Sequence, residues 1–296
     1  MTSRERIDHI LKGQETGRPA FTAWYHFRDR TEPGERHAEL TLGFHRRLGT
    51  DLVKVMSDYP YPKPEGDWFQ PRVHDNPFPN QVRALELIRA GLAGQAHFVE
   101  TLFNPWNQAG KISSKEELQR LKAEKPQALL DALEAIARSE ANHVRKALQT
   151  GASGIFLAID NAQDGILTRE EYKKFSEPFD RMVLDAAQGA ALNILHLHGP
   201  KVYLDLFWTN WPATAINYSI AETGVPMAEA RKQFKGVLAG GIDELKFRAL
   251  DTATLTAQWK AARAAVGPLH IVTPGCSVPD DTTDAELLRL RAAVGA

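Results

Sequence analysis

The residues of this chain that could carry chemistry gather at a few positions, and the sharpest signal is the pair His196 and His198 in LNILHLHG. On a β-strand, residues i and i+2 share a face. Leu195 and Leu197 would then turn toward covering helices and both imidazoles the other way. Two imidazoles converging in a small space repel if protonated and need hydrogen-bond partners if neutral; a divalent ion answers both requirements. Cys276, the only cysteine, stands in PGCSVPDD on a turn after the last apolar run. Two nitrogens and one sulfur suit Zn²⁺, one ion per chain, and three protein ligands leave a fourth position open to substrate. Spacing alone leaves two readings: a metal site of His196, His198 and Cys276, or hydrogen-bonded pocket histidines beside an inert buried thiol.

Positioning these residues requires a scaffold, and its pattern is repetitive. Short apolar runs occur at 21–27, 51–57, 96–103, 154–160, 192–199, 215–220, 236–242 and 269–275. Amphipathic segments separate them. The longest, 115–151, should be divided by Pro126. Another, 168–190, opens with Thr168 and has Glu171 three residues on, a capping-box spacing. PMAEARKQFKG and LTAQWKAARAAVG should stop at their glycines. The Pro- and aromatic-rich stretch 60–80 reads as an ordered loop over the mouth of the fold. Eight strands alternating with helices predict an α/β fold, a (β/α)₈ TIM barrel, as a single domain over 1–296.

In such a barrel the reacting groups lie at the C-terminal strand ends. That rule selects Tyr25 and His26, Asp58, Asn104 and Trp106, Asp160, His196 and His198, Tyr218, Asp243 and Cys276. Asp58 and Asp160 could be acid/base or orienting groups, or could cap loops. Tyr25, His26, Trp106 and Tyr218 could line a substrate pocket, or pack as core. Asp243 reads as a helix N-cap.

The bulk numbers exclude several classes. A net charge of −1, from 36 basic and 37 acidic residues, gives no field favouring nucleic acid or an anionic membrane. One cysteine excludes an internal disulfide. The N-terminal stretch MTSRERIDHILKGQETGRP is polar and amphipathic, and no run approaches the ~18 apolar residues of a membrane span. A cytoplasmic protein, monomeric or homodimeric, acting on a small molecule is expected.

RERIDHILKGQETGRPA, GASGIFLAIDNAQDGILTREEYKKFSEPFDRMV, ILHLHGP, GVLAGGIDELKF and HIVTPGCSVPDDTTDAELL together resemble the uroporphyrinogen decarboxylase superfamily, over nearly the whole chain. That superfamily also holds zinc-dependent corrinoid:thiol methyltransferases. The decarboxylases carry a W-M-R-Q-A-G-R segment after the Arg-Pro entry, where this chain has FTAWYHFRDR, with Arg28 and Arg30 at a different spacing. They also carry His where Cys276 stands. The seven-residue spacing from Asp51 to Asp58 does match theirs. The methyltransferase branch uses H-x-C and a later Cys; here His198 falls on the first Cys and Cys276 on the second. Imidazole for thiolate raises the charge of the site and makes zinc a stronger Lewis acid.

The resemblance therefore implies a zinc-dependent methyltransferase moving a methyl group between a corrinoid, free or carried on a partner corrinoid protein, and a thiol-type acceptor. The alternative it implies is a cofactor-free decarboxylase of uroporphyrinogen or another polycarboxylate, with Asp58 stabilising the intermediate. A non-catalytic binding barrel is a third reading, which a polar pocket would disfavour.

Overall fold

The computed structural model describes residues 1–27, 33–56 and 59–295. Arg28, Arg30 and Asp58 thus lie outside the described residues. The elements run α1 (Ser3–Leu11), β1 (Ala20–Phe21), α2 (Gly34–Leu48), β2 (Leu52–Val55), α3 (Pro79–Leu92), β3 (His97–Phe103), α4 (Pro105–Ile112), α5 (Lys115–Glu124), α6 (Pro126–Gln149), β4 (Ile155–Ile159), α7 (Arg169–Phe175) and α8 (Glu177–Asp185). They continue with β5 (Ile194–Leu197), β6 (Ala215–Tyr218), α9 (Ile220–Thr223), α10 (Met227–Gln233), β7 (Val237–Ile242), α11 (Thr252–Val266), β8 (His270–Pro274) and α12 (Asp284–Val294).

All eight strands pair in parallel in the order β1-β8-β7-β6-β5-β4-β3-β2. The remaining seam, between β1 and β2, is bridged by Asp51 N–H donating to Phe21 O at 2.7 Å and by Thr22 Oγ1 donating to Leu52 O at 2.8 Å. The result is a nearly closed (β/α)₈ barrel. Its lumen is filled by one residue set from successive strands, including Ala20, Leu52, Val99, Ile194, Ala215 and Ile271. Ile7 and Ile10 of α1 join that cluster, closing the N-terminal end and leaving the C-terminal end for chemistry. The alternate set, with Leu157, Leu195, Leu197, Ile216 and Leu238, packs against the helices. Both leucines flanking His196 therefore face outward, as the alternation requires. Among the described residues no helix is long and apolar enough to cross a membrane.

Pro126 separates α5 from α6, and Thr168 and Glu171 form the expected capping box. Three expectations are corrected. The segment 168–190 is two helices, because Pro178 in the first turn of α8 has no N–H and cannot continue α7. α10 stops at Gln233 rather than at Gly236: Phe234 turns extended and buries its ring, and Arg231 binds the carbonyls of Phe234 and Gly236 instead. The 60–80 stretch is ordered but clamps onto α6, not across the mouth. Tyr61 Oη donates to Ser139 Oγ at 2.8 Å, and Asn142 Nδ2 to His74 O at 3.0 Å.

Candidate active site

His196 and His198 project from β5 and the residue just beyond it, and the loop after β8 brings Cys276 to meet them. Cys276 Sγ lies 3.3 Å from His198 Nδ1 and 3.6 Å from His196 Nε2. One ligand atom from each residue falls within 4.8 Å of the other two. A tetrahedral zinc with bonds of ~2.0–2.3 Å has ligand-to-ligand edges of roughly 3.3–3.7 Å. The two sulfur–nitrogen distances match those edges, and the donor set is one that zinc takes, so these residues fit the ion. His196 is buried, Cys276 half-buried and His198 exposed, which puts the open side of the cluster toward solvent.

The Cys276 loop is held on both flanks. Gly275 N–H donates to Glu244 Oε2 at 3.1 Å, and a Cβ on Gly275 would stand 2.7 Å from both that oxygen and Ser219 Cα. Only glycine allows this approach. On the far side Val278 N–H donates to Trp24 O, Tyr25 Oη to Asp280 O at 3.1 Å, and Ser277 Oγ meets His26 Nε2 at 2.8 Å.

The electrostatics favour ligands over free acids or nucleophiles. Burial, reinforced by His198 and Lys54, pushes His196 down to about 3, so its imidazole is neutral at physiological pH. Burial pushes the Cys276 thiol up to about 11, with Glu244 and Glu222 adding to it. Such a thiol is not a self-activated nucleophile; a cation would have to draw off its proton.

The cluster opens into a cavity of about 430 Å³. Met56, Phe103, Phe156, Ala158 and Val278 give it an apolar wall, while Lys54, Asp160 and Asp280 supply charge and His26 a polar ring. Lys54 comes from β2, its Nζ 4.8 Å from the Phe156 ring centre, and Phe156 stacks on His196 at 5.1 Å. Asp160 follows β4 and accepts from Asn107 Nδ2 at 2.8 Å. Asn107 and Asp160 also border a second cavity of about 630 Å³ that extends between α4 and α5.

Of the sequence-predicted residues, the structure brings His26, Asp160, His196, His198 and Cys276 to one cavity. Trp106, nearly buried, borders the second cavity instead. Tyr25 stacks on Phe44 at 5.5 Å and supports the Cys276 loop rather than lining the cavity. The placement of Tyr218 is a correction: it faces the helices and donates to Val225 O at 3.1 Å, because strand parity turns its neighbour Asn217 inward. Asn104 caps α4 and is fully buried, donating to Asn161, Ser176 and Asp180. Asp243 is a further correction: its Oδ1 accepts from Leu245 and Lys246 N–H and closes a turn rather than capping a helix, the next helical turn, Phe247–Ala249, starting after Lys246. Sequence reasoning missed Lys54, Phe156 and Asn217; strand alternation, applied to every strand end, is the signal that finds them.

Barrel and strand-end cluster together define a TIM-barrel protein with a candidate His₂Cys metal centre. A sequence profile described as uroporphyrinogen decarboxylase (URO-D) matches residues 67–296, well over half of the chain, and the chain belongs to that family. Among solved structures it is similar to a methyltransferase from Methanosarcina mazei, with a TM-score of 0.81 and 14% identity over 100% of this chain and 98% of that one. It is also similar to a B12-independent methionine synthase from Shewanella sp. W3-18-1 in complex with selenomethionine (TM-score 0.62, 11% identity, 94% of this chain and 95% of that one). A putative vitamin-B12-independent methionine synthase from Listeria monocytogenes gives a TM-score of 0.56 at 10% identity, over 88% and 85% of the two chains. At these identities the likeness is one of fold. No protein of curated function matches the chain.

Proposed function

We propose that this chain is a zinc-dependent methyltransferase that moves a methyl group between a corrinoid donor and a thiol-type acceptor. The observation that carries the reading is the convergence of His196 Nε2, His198 Nδ1 and Cys276 Sγ at the C-terminal end of the barrel. A zinc ion held there supplies an open fourth position at which a thiol loses its proton near neutral pH.

The protein's own groups prepare that event. His196 is held neutral by burial and keeps a lone pair available. Phe103, Phe156 and Val278 exclude water from one side of the acceptor, so a sulfur anion formed there is less hydrated and a better nucleophile. Lys54 adds positive charge to the wall. Asp160, steadied by Asn107, is placed to take or orient a proton; Asp58 shares that role in this reading. His26 and Tyr25 hold the Cys276 loop in place, and the second cavity beyond Asp160, with Trp106 on its wall, offers room for the remainder of a substrate. The corrinoid, on a separate protein, would approach from the exposed His198 side. A cytoplasmic setting belongs to the proposal, since the ligand thiol must stay reduced.

Metal analysis of protein purified without chelator tests this. One zinc per chain, lost in His198→Ala and Cys276→Ser, is expected, together with methyl transfer from methylcobalamin to small thiols. Asp160→Ala should keep the zinc and slow the transfer by ~10²-fold or more. A folded protein that neither carries nor takes up zinc overturns the proposal. Family membership itself favours a second reading, a carboxy-lyase, and release of carbon dioxide from uroporphyrinogen by metal-free protein would establish it instead.

A further inference from the structure

The hydrogen bonds behind His196 run in one direction only. Asn217, fully buried on β6, stands opposite His196 in the β5–β6 register. Its Oδ1 lies 2.6 Å from His196 Nδ1. Its Nδ2 lies 3.0 Å from Ala239 O, 3.3 Å from Pro274 O and 3.4 Å from Thr273 Oγ1. Two of those three partners are backbone carbonyls, which can only accept. The third, Thr273 Oγ1, already spends its proton on Pro274 O at 2.8 Å, leaving only lone pairs toward Asn217. The amide NH₂ must therefore face β7 and β8. Turning the amide over would set Oδ1 against those same acceptors, a repulsive arrangement at a fully buried position.

With the amide so oriented, Oδ1 can only accept, and His196 Nδ1 must carry the proton. A neutral imidazole has one N–H, so Nε2 keeps its lone pair, and that nitrogen is the one facing Cys276. Among the described residues His198 has no comparable partner: the hydrogen-bond contact of its Nδ1 is Cys276 itself, and its ring is exposed. The two histidines are thus unlike in kind, one set in a fixed tautomer by the barrel wall and the other free to adjust.

We propose that Asn217 is the positioning residue of this site: it locks His196 as the Nδ1–H tautomer and so commits Nε2 to ligation before any ligand arrives. The consequence for the metal rests on the zinc reading above; the tautomer does not. A ring already in the ligating form loses no free energy to tautomer exchange or reorientation, and partners of this kind are worth ~10–100-fold in metal affinity.

The two parts separate experimentally. In metal-free protein labelled with ¹⁵N-histidine, long-range ¹H–¹⁵N spectra at neutral pH should show His196 with a pyrrole-like Nδ1 and a pyridine-like Nε2, the signal being assigned by its loss in His196→Gln. Asn217→Leu should return His196 to a tautomer mixture; Asn217→Asp keeps an acceptor toward Nδ1, and with its other oxygen protonated toward the Ala239 and Pro274 carbonyls it should retain the native form. Chelator competition should then give zinc binding ~10–100-fold weaker in Asn217→Leu and near native in Asn217→Asp. An Nε2–H ring in the native protein overturns the inference, as does a zinc affinity in folded Asn217→Leu equal to the native one. Should Asn217→Leu fail to fold, the native spectrum and Asn217→Asp still decide it. A native protein with the expected tautomer but no zinc affinity refutes the zinc reading alone.

Discussion

Asp51 closes the barrel, and removing its charge should be costly. The carboxylate is fully buried and accepts from Arg6 Nε at 3.1 Å, from Arg18 Nη1 at 2.7 Å and Nη2 at 2.9 Å, and from Phe21 N–H at 3.0 Å. It therefore ties α1, the entry to β1 and the start of β2 to one group. In Asp51→Ala, Arg18, a third exposed, can turn its charge to water. Arg6 cannot: its side chain is 8% exposed and keeps only neutral partners among the described residues, Thr16 O at 2.7 Å, Arg18 O at 3.4 Å and Met1 Sδ at 3.7 Å. Breaking a buried pair on one side costs ~3–5 kcal/mol, and the carbonyls place this case near the lower end. The unpartnered Phe21 N–H adds about 1 kcal/mol. The expected loss is about 4 kcal/mol, read from urea denaturation followed by far-ultraviolet circular dichroism. Asp51→Asn keeps the shape but removes the charge and turns an NH₂ toward N–H donors, so it should lose a comparable amount. β2, which carries Lys54, and the segment after β1, which carries His26, flank this seam, so under the zinc reading proposed above metal content should fall in Asp51→Ala even where the fold persists. A loss under ~1 kcal/mol at unchanged m would refute the reasoning, because the charge would then not be holding the seam.

Two further outcomes follow from particular contacts. Gly199 has φ +121°, and a Cβ there would collide with the Gln163 amide that binds Asp160 O and His198 O. Gly199→Ala should therefore destabilise by ~1–3 kcal/mol and, under the zinc reading proposed above, weaken metal binding through His198; an unchanged urea midpoint would contradict this. His37 is buried against Phe27 and Tyr59 and pushed down to about 4 by burial. The unfolded chain, titrating near 6.5, binds the extra proton, so stability is complete above pH 6.5 and is lost as pH falls toward 4. The urea midpoint should drop across that window less steeply in His37→Phe than in the native protein, and parallel slopes would show that His37 does not contribute.

Much of the fold was legible because its signals are local. Eight β-rich runs, Pro126 and the Thr168–Glu171 box act within a few residues, and each has its element, although the run 21–27 shrinks to the two-residue strand Ala20–Phe21. The misplacements arose where local pattern competed with packing. Tyr218 was chosen as an aromatic at a strand end, yet parity turned Asn217 inward and sent the phenol to the helices. The 60–80 stretch carried loop chemistry but no information about its partner, and Ser139 and Asn142 of α6 supplied one. α10 ended early because Phe234 found a buried site before Gly236 was reached.

By itself the sequence determined which residues could serve as ligands, since the identity of a donor atom and the alternation of a strand are properties of the chain. Two histidines on one face of β5 and a single cysteine after β8 follow from composition and spacing alone. Whether these three meet is a different matter, because Cys276 is far from His198 in sequence and reaches it only when parallel pairing closes the barrel. The tautomer of His196 lies further still from the sequence. It depends on hydrogen bonds that run from His196 through Asn217 to Ala239, Pro274 and Thr273, a chain that exists only once four strands stand side by side.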